Sequence, residues 1–432
     1  MCVWVLTAGV AAAQDPLSLR DAVGRALREH PSQQGAAAET QAATSRVAQS
    51  RSAYLPQATL REFYQTSNQP VFAFGSLLNQ RRFGPANLAI EALNQPGFVN
   101  NFQTQAGFEQ TIWDFGATKA AVRTAEIGRR LSEEEQKRRS QLRIALVAQA
   151  YHSVTLAEEG LKVARAGIAS AQASLDRAIA VRDAGLSTEA DVLAMRVHLA
   201  AVREQEIRRK YEIEVARAAL NEATGQAAET QNTLSTALTA AADAPGAGGV
   251  RPELRLAQLA RESSEARRDQ ARLAYLPRVV ARGVFEADRG RFVTQGGANW
   301  FFGAGLEWKL FDGGTRHRIA EANHATASSA AKERETAAQL SLELKRAQAA
   351  FASAQERIRV AEAAVNQATE SLRIIRDRYE AGLSRVDELL RAETALSETR
   401  LRHLAAIYEQ RLGAVAVALA SGSLQEDSDV LN

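Results

Sequence analysis

Large apolar residues recur every seven positions over two long stretches of the chain. In the later stretch they are Leu344, Phe351, Ile358, Val365, Leu372 and Tyr379, and in the earlier one Val147, Val154, Leu161, Ile168 and Leu175. Each heptad has a second seam position, three residues after the first, and it is mostly alanine, as at Ala347, Ala354 and Ala150. The pattern therefore predicts long helices that pack closely with a left-handed supercoil. From the turn at Asp114 to Arg182 nothing in the sequence breaks a helix. This stretch allows a helix of nearly 70 residues, roughly 100 Å long. Asp114 and Asp312, each soon followed by glycine, suit the turns where these helices begin.

Two other stretches change to a period of two. From Asn299 to Phe311 one face carries apolar side chains and the other carries glycine and charge. The apolar set is Trp300, Phe302, Ala304, Leu306, Trp308 and Leu310. This alternation predicts a strand, and 102–112 matches it earlier in the chain. With 57–66 and 279–288 as partners, the sequence predicts two β-hairpins and four strands.

Short motifs occur twice in the same order. The pairs are 53–56 with 274–277, 113–116 with 311–314, 184–187 with 381–384, and 224–225 with 421–422. They predict a duplicated unit in which each copy has a β-hairpin and a helical hairpin. The predicted repeats are 14–225 and 251–422, separated by a linker at 226–250 and followed by a polar tail at 423–432. The offset between the copies falls from 221 to 198 residues, which places an insertion in the first hairpin loop.

Each helical hairpin turns at the same four letters, Ala-Gly-Leu-Ser. Gly185 and Gly382 are suited to the left-handed position that ends a helix. Thr188 and Ser384, each followed three residues later by aspartate, predict capping boxes that begin the next helix.

Composition agrees with a helical protein and gives no sign of catalysis. The 432 residues include only 9 Pro and 27 Gly, and the net charge is +3. No basic block is interleaved with aromatics, which argues against a nucleic-acid partner. No run of 18 apolar residues follows the N-terminal segment, and we find no catalytic, metal or cofactor motif. We therefore expect neither an enzyme nor a cofactor.

The first 13 residues resemble a secretion signal. They are apolar and end in three alanines, as before a signal-peptidase site, although the basic region expected ahead of them is missing. We interpret 1–13 as a truncated signal peptide; the alternative is an ordinary apolar terminus. Cys2 is the only cysteine, so the mature chain would have none, which suits an oxidising compartment. Lipid anchoring is not expected, because Cys2 precedes the apolar stretch.

Two structures fit the alternating strands. Several chains can pool them into an outer-membrane barrel, with Trp300, Phe302, Leu306 and Trp308 facing lipid. A hairpin half-buried against helices gives the same alternation. Periodicity alone leaves both open.

The doubled motifs together resemble the TolC-type outer membrane factors, from about Leu17 to Gly422. The residues that carry the resemblance are Pro31, 54–56, 113–116, 185–187 with Asp191, and their second-copy equivalents. The resemblance implies a mainly α fold with a small β part, in which long helical hairpins form an α-barrel. Four antiparallel strands per chain would join a trimeric, twelve-stranded outer-membrane barrel.

The same resemblance implies a location and partners. The protein would be a homotrimer in the outer membrane of a Gram-negative bacterium, in contact with its lipid and with a long periplasmic extension. It would act as a passive exit duct for a tripartite efflux pump or type I secretion system. Its partners would be a periplasmic adaptor and an inner-membrane transporter. Drugs, metal ions, polysaccharide and protein all stay open as cargo, and a periplasmic coiled-coil scaffold is the alternative function.

Residue roles also follow from the resemblance. The adaptor-docking tips would be formed by Gly185, Leu186, Ser187, Asp191, Gly382, Leu383, Ser384 and Asp387. Tyr379 and Glu388 match periplasmic gate positions, and Arg391 stands where a second acid is expected. This departure puts an acidic ring in doubt, and a contact from Glu388 to arginine between helices is the alternative. Tyr379 also continues the apolar heptad, so a purely packing role is equally open.

Overall fold

Helices dominate the fold, and four strands form its β part. The computed structural model describes residues 16–185, 187–241, 248–293 and 296–432. The signal-like segment 1–13 lies outside these residues. Within them, no helix combines the length and apolarity needed to cross a membrane.

Each half of the chain contains a helix, two strands and a long helical hairpin. In the first half the elements are α1 (Leu19–Glu29), α2 (Pro31–Arg51), β1 (Gln57–Ser67), α3 (Pro70–Asn79), α4 (Ile90–Asn94), β2 (Val99–Trp113), α5 (Ala117–Asp183) and α6 (Glu189–Thr224). In the second half they are α7 (Pro252–Leu273), β3 (Arg278–Arg289), β4 (Gly297–Glu307), α8 (Thr315–Glu380) and α9 (Val386–Ser421). Short 3₁₀ turns lie at Ser52–Tyr54, Pro85–Leu88 and Asp429–Leu431. The predicted long helices are confirmed, since α5 has 67 residues and α8 has 66.

The chain divides into two compact units. The helical unit comprises the described residues of 1–40, 132–257 and 333–432. The sheet unit comprises Gln41–Leu131 and Gln258–Lys332.

In the sheet unit the strands pair in chain order, β1-β2-β3-β4, and every neighbour is antiparallel. The predicted hairpins are therefore β1-β2 and β3-β4, and β2 pairs with β3 to join them. The last strand is shorter than the alternation predicts, because β4 ends at Glu307 rather than Phe311. Trp308, predicted to be part of this strand, lies one residue beyond it. The insertion in the first loop is mostly helical and forms α3 and α4.

In the helical unit the heptad positions are the buried side of the long helices. One core cluster joins them across α5, α6, α8 and α9: Ala171, Leu175, Ala178, Val192, Met195, Leu199, Leu372, Tyr379, Leu389, Ala392 and Leu396. Elsewhere on α8 most positions are exposed. The seven-residue repeat therefore marks the packed seam, as predicted.

The predicted linker and tail are fixed to the helical unit. The Tyr151 hydroxyl donates to the Leu17 carbonyl at 2.8 Å and accepts from the Thr236 N–H at 2.8 Å. In the tail, Leu424 and Leu431 are buried in the same core. The composition of the tail is polar, but its two leucines attach it to the core. Linker residues 242–247 lie outside the described residues.

Candidate functional site: the sheet faces and the helical tips

One face of the sheet is mainly apolar and the other is mainly polar. The charged exception on the apolar side is the ion pair of Glu62 with Arg289, which lie 2.8 Å apart. Directly paired residues share a face, so Phe285 with Trp300, and Gly283 with Phe108 and Phe302, belong to the same side. Leu60, Phe285, Trp300, Phe302 and Leu306 are all exposed on this side. Trp300 is 80% exposed in the single chain. A water-exposed surface of this kind is normally covered by lipid or by another protein.

The opposite face carries charge. Arg282 lies 2.9 Å from Glu109 and 4.0 Å from Glu307, and Arg278 lies 2.6 Å from Glu307. These ion pairs cross three neighbouring strands. Gly303 and Gly305 lie on the same face, as the alternation predicts. Two aromatic residues are exceptions on this face: Phe301, whose ring covers Gly303, and Phe63, which is exposed.

The helical insertion is anchored to the strands by a buried hydrogen-bonded chain. The Gln80 amide donates to the Asn100 carbonyl at 2.8 Å and to the Asn101 side chain at 2.9 Å. Asn101 in turn donates to the carboxylate of Asp288 on β3 at 2.5 Å. The sequence predicts the place of the insertion but not this anchor.

Two aspartates cap the helices that follow the sheet. Asp114 accepts from the Gly116 N–H at 3.0 Å and from the Thr118 N–H at 2.6 Å. Asp312 accepts from the Gly314 N–H at 2.9 Å and from the Thr315 hydroxyl at 2.8 Å. Both satisfy backbone or side-chain donors at a helix start, which confirms their predicted place in these turns.

The first tip has the predicted geometry. Gly185 has φ +77°, so it occupies the left-handed position at the end of α5. Thr188 and Asp191 form a reciprocal capping box at the start of α6. The Ser187 hydroxyl also donates to Asp191 at 2.7 Å, and this bond, with the Thr188 bonds, holds the pKa of Asp191 below its usual value. Leu186 lies outside the described residues.

The second tip ends its helix in the same way but begins the next one differently. Gly382 has φ +71°, and the N–H groups of Gly382 and Leu383 donate to the Tyr379 and Arg378 carbonyls at 3.0 and 2.8 Å. This is a Schellman ending. Leu383 is 69% exposed at the turn.

The capping box predicted for Ser384 and Asp387 is wrong. Helix α9 begins one residue later than this prediction requires, with Arg385 at the N-cap and no side-chain cap. Ser384 instead donates to the Glu388 carboxylate. The repeat explains the error, because Arg385 is the counterpart of Thr188 and Glu388 that of Asp191.

Tyr379, a gate candidate, belongs to the apolar seam and is only 5% exposed. Its hydroxyl is buried close to Ser187 but forms no well-aligned hydrogen bond with it. Burial raises the pKa of Tyr379, the Ser187 hydroxyl opposes this, and the Asp191 carboxylate adds to it. The residue therefore packs in the seam and also lies beside the first tip.

Arg391 is exposed and pairs with Asp387, 3.2 Å away on the same helix. Glu388 binds Ser384, so within one chain the structure does not bring Glu388 and Arg391 together.

Sequence reasoning missed a buried polar cluster between the two helical hairpins, which contains Glu393, His198 and Arg376. The heptad pattern predicts only apolar residues in the core between the long helices. Within the described residues, no group of three metal-ligating side chains is arranged for a metal ion.

The chain is similar to solved outer-membrane proteins over most of its length. It is 19% identical to VceC of Vibrio cholerae, covering 94% of this chain and 96% of that one with a TM-score of 0.79. For the CmeC outer membrane channel of Campylobacter jejuni the identity is 17%, the coverage 96% and 88%, and the TM-score 0.81. For the open state of the MtrE outer membrane channel of Neisseria gonorrhoeae these values are 17%, 95% and 90%, and 0.78.

No curated protein matches the chain. The family model described as outer membrane efflux protein matches residues 22–226 and 247–423, which is most of the sequence. The fold agrees with this match, since long helical hairpins and a four-stranded antiparallel sheet are shared with the solved channels. The chain therefore belongs to the outer membrane efflux protein family.

Proposed function

We propose that three copies of this chain form an outer-membrane channel that serves as the passive exit duct of a tripartite efflux pump or type I secretion system. The observation that carries the proposal is the sheet, which has an apolar face, a charged face and two unpaired edges, β1 and β4. Each edge strand has 11 residues, and edges of this length invite pairing with another chain. Pairing of β4 with β1 of the next copy satisfies both.

Strand length and number suit a membrane channel. The strands have 11, 15, 12 and 11 residues, and about 9 to 11 residues cross a bilayer when tilted. Three chains give twelve strands, more than the roughly eight whose interior is filled by side chains. The apolar face then meets lipid and the ion pairs of Arg282 line the lumen.

A second exposed surface supports association of copies. On α6, an apolar stripe of five residues is 51% to 70% exposed: Leu193, Val197, Ile207, Tyr211 and Val215. Ile207 and Tyr211 lie two heptads after Leu193 and Val197, and Val215 lies four residues beyond Tyr211, a spacing typical of a helix packed against another helix. We assign this α6 stripe to the contact with a neighbouring chain.

The helical tips complete the proposal. We assign adaptor docking to the two turns, where Leu383 offers an exposed apolar side chain beside Gly382. Tyr379 is proposed as the gate residue, because it lies against Ser187 and Asp191 of the other hairpin. In this arrangement the transporter and adaptor supply the cargo, and the duct needs no catalytic group.

The proposal is tested by conductance of the purified protein in planar bilayers. We expect steady unit currents from the wild type. Two positions on β4, three residues apart, provide a matched pair of sites for substitution. Phe302 is on the apolar face and Gly305 is on the charged face. A β-carbon at Gly305 would meet nothing within 4 Å. Gly305→Arg should therefore insert and shift selectivity towards anions, whereas Phe302→Arg should reduce insertion, because a midplane arginine facing lipid costs about 2–4 kcal/mol.

The scaffold alternative predicts a different result. A scaffold would be soluble without detergent, would give silent bilayers, and would not distinguish the two substitutions by strand face. That outcome would refute the channel proposal.

A further inference from the structure

An open groove lies between α5 and α7 in the sheet unit. This α5–α7 groove has a volume of about 480 Å³ and is lined by Gly116, Lys119, Ala120, Val122, Arg123, Glu126, Ala266 and Asp269. The lining is small and apolar apart from two bases and two acids. Both acids are neutralised by arginines outside the groove, since Glu126 pairs with Arg51 at 2.7 Å and Asp269 with Arg268 at 2.9 Å.

Lys119 and Arg123 give the groove an uncompensated positive charge. Both are exposed, and because they are four residues apart they lie on the same side of α5. Across the described part of the chain, neither has a carboxylate within ion-pairing distance. A ligand in the groove therefore meets two unpaired cations beside small apolar residues. This combination suits a phosphate diester that is attached to an apolar body.

The two cations lie away from the charged face of the sheet. Ala117 and Ala121 of α5 line a cleft together with Glu307, whose carboxylate belongs to the charged face. At 3.6 residues per turn, Lys119 and Arg123 are on the opposite side of the helix from these two alanines. The groove therefore opens on the same side as the apolar face.

Exposed aromatic residues are concentrated where the sheet gives way to the helices. They are Trp113, Phe115, Tyr275, Trp308 and Phe311. Trp113 is on the apolar face, because its partner Val279 pairs in turn with Leu306. Aromatic side chains are enriched at the level of lipid headgroups. In the proposed channel, these residues mark the boundary between hydrocarbon and headgroups on the periplasmic side.

Lys119 and Arg123 follow these aromatic residues at the depth of the headgroups. Measured from Ala117, the first residue of α5, they begin about 3 and 9 Å along the helix axis. The headgroup region is roughly 5–7 Å deep on each side of a bilayer. Helical side chains lean towards the N-terminus, which here is the sheet end of α5. The phosphate layer is thus within reach of both cations.

We propose that the α5–α7 groove binds an anionic glycerophospholipid of the leaflet that faces the periplasm. Lys119 and Arg123 hold its phosphate, and its acyl chains lie against Trp113 on the apolar face. The inference rests on the proposed channel function, because it needs this face to be in lipid. The equivalent residues of the second copy are His317 and Glu321, so a pair of this kind occurs once per chain and a trimer binds up to three lipids.

Native mass spectrometry of the delipidated full-length complex tests this assignment. The probes are phosphatidylglycerol and phosphatidylethanolamine with the same acyl chains, which differ in net headgroup charge. The wild type should retain up to three molecules of phosphatidylglycerol and prefer them to phosphatidylethanolamine. Lys119→Gln combined with Arg123→Gln should weaken retention of phosphatidylglycerol about fivefold for each cation removed, the usual effect of a basic residue at an anionic surface.

Arg61→Gln combined with Lys309→Gln is the matched control. It removes two exposed cations from the charged side of the sheet unit and should retain phosphatidylglycerol as the wild type does. Lys119→Arg combined with Arg123→Lys keeps both charges of the groove and should also retain it. Equal retention by the glutamine variant of the groove and by the control would overturn the proposal. If that variant does not assemble, Arg123→Gln alone decides: a fivefold loss supports the site and wild-type retention overturns it.

Conductance separates this inference from the channel function. A wild type that conducts but retains the two lipids equally would refute the lipid site alone. A silent wild type whose retention of phosphatidylglycerol still depends on Lys119 and Arg123 would refute the channel and leave the lipid site in place. A silent wild type without this preference would refute both.

Discussion

His152 is completely buried in the helical unit, and neither of its ring nitrogens has a hydrogen-bond partner. Its ring lies 6.0 Å from that of Tyr151. Burial lowers the pKa of His152 to about 4, and the charge of Arg411 acts in the same direction. The residue is therefore neutral in the folded protein at any pH above about 4.

This histidine predicts a loss of stability in acid. Between its unfolded pKa of about 6.5 and its folded value, only the unfolded chain binds the proton, so stability is lost as pH falls through this interval. The full difference corresponds to about 3 kcal/mol. His152→Leu should flatten the dependence of thermal unfolding on pH between 6.5 and 4. His324→Leu, at an exposed histidine, is the control, and an unchanged acid slope in His152→Leu would contradict the assignment.

The residues that sequence reading predicted are those whose role depends on local backbone geometry. Gly185 and Gly382 were predictable, because a left-handed turn at a helix end strongly favours glycine. His152 and Glu393 were not, because both stand on helices rich in charge and only long-range packing buries them. Spacing within one helix carries no information about which other helix covers a given polar residue.

At the scale of elements, the two tips differ at the first residue of their second helix. Thr188 caps α6 with its side chain, whereas Arg385 begins α9 with suitable extended backbone but no side-chain cap. Glu388 already stands three residues after Arg385. A capping box therefore lacks only one residue at the second tip.

Replacing Arg385 should complete this cap. Arg385→Thr should stabilise the start of α9 by about 1 kcal/mol, and Thr188→Ala should destabilise the start of α6 by a similar amount. Hydrogen exchange in the first turn of each helix measures both. Slower exchange is expected in the first variant and faster exchange in the second. Equal exchange in Arg385→Thr and wild type would show that the backbone of α9 does not accept the cap.

The exposed stripe on α6 predicts a defect of assembly rather than of folding. Val197→Asp and Val215→Asp place charge on a surface assigned to a neighbouring chain, so the detergent-solubilised complex should dissociate while helix content is kept. Val197→Ile and Val215→Ile are the matched controls and should stay assembled. Light scattering gives the mass of each. Charged variants of full mass would exclude this stripe from the interface.

The periodicity of the sequence predicted the type and length of the helices and strands well, and it predicted their boundaries less well. The heptad predicted α5 and α8, because an uninterrupted seven-residue repeat over so many turns suits only a long packed helix. The alternation of apolar and polar residues continues past Glu307 in the sequence. Strand β4 nevertheless ends at Glu307, because this residue pairs with Arg278, the first residue of β3. The helical form of the first-loop insertion, with Gln80 buried against β2, depends on tertiary contacts and was not predictable.

In the molecule as a whole, the elements that occur in both halves of the chain and the features that occur in only one half have different consequences. Matching strands and matching helical hairpins give each chain two similar sets of elements. The pair of Lys119 and Arg123, the α3–α4 insertion and the uncapped start of α9 occur once per chain. We therefore expect changes at these places to alter lipid binding or docking, and changes in the repeated elements to alter assembly.

Cysteine cross-linking between β1 and β4 tests whether neighbouring copies assemble through the edges of the sheet. Within one chain, two strands separate these edges, and a spacing of about 4.8 Å per strand puts them beyond the reach of a disulfide. Leu60→Cys on β1 is combined with cysteine at 298, 300, 302, 304 or 306 on β4, in protein without Cys2. If β4 of one copy pairs with β1 of the next, oxidised products of up to three chains form at one or two of these positions, and none forms from either cysteine alone. Failure to form a cross-linked product at every position would contradict the shared barrel.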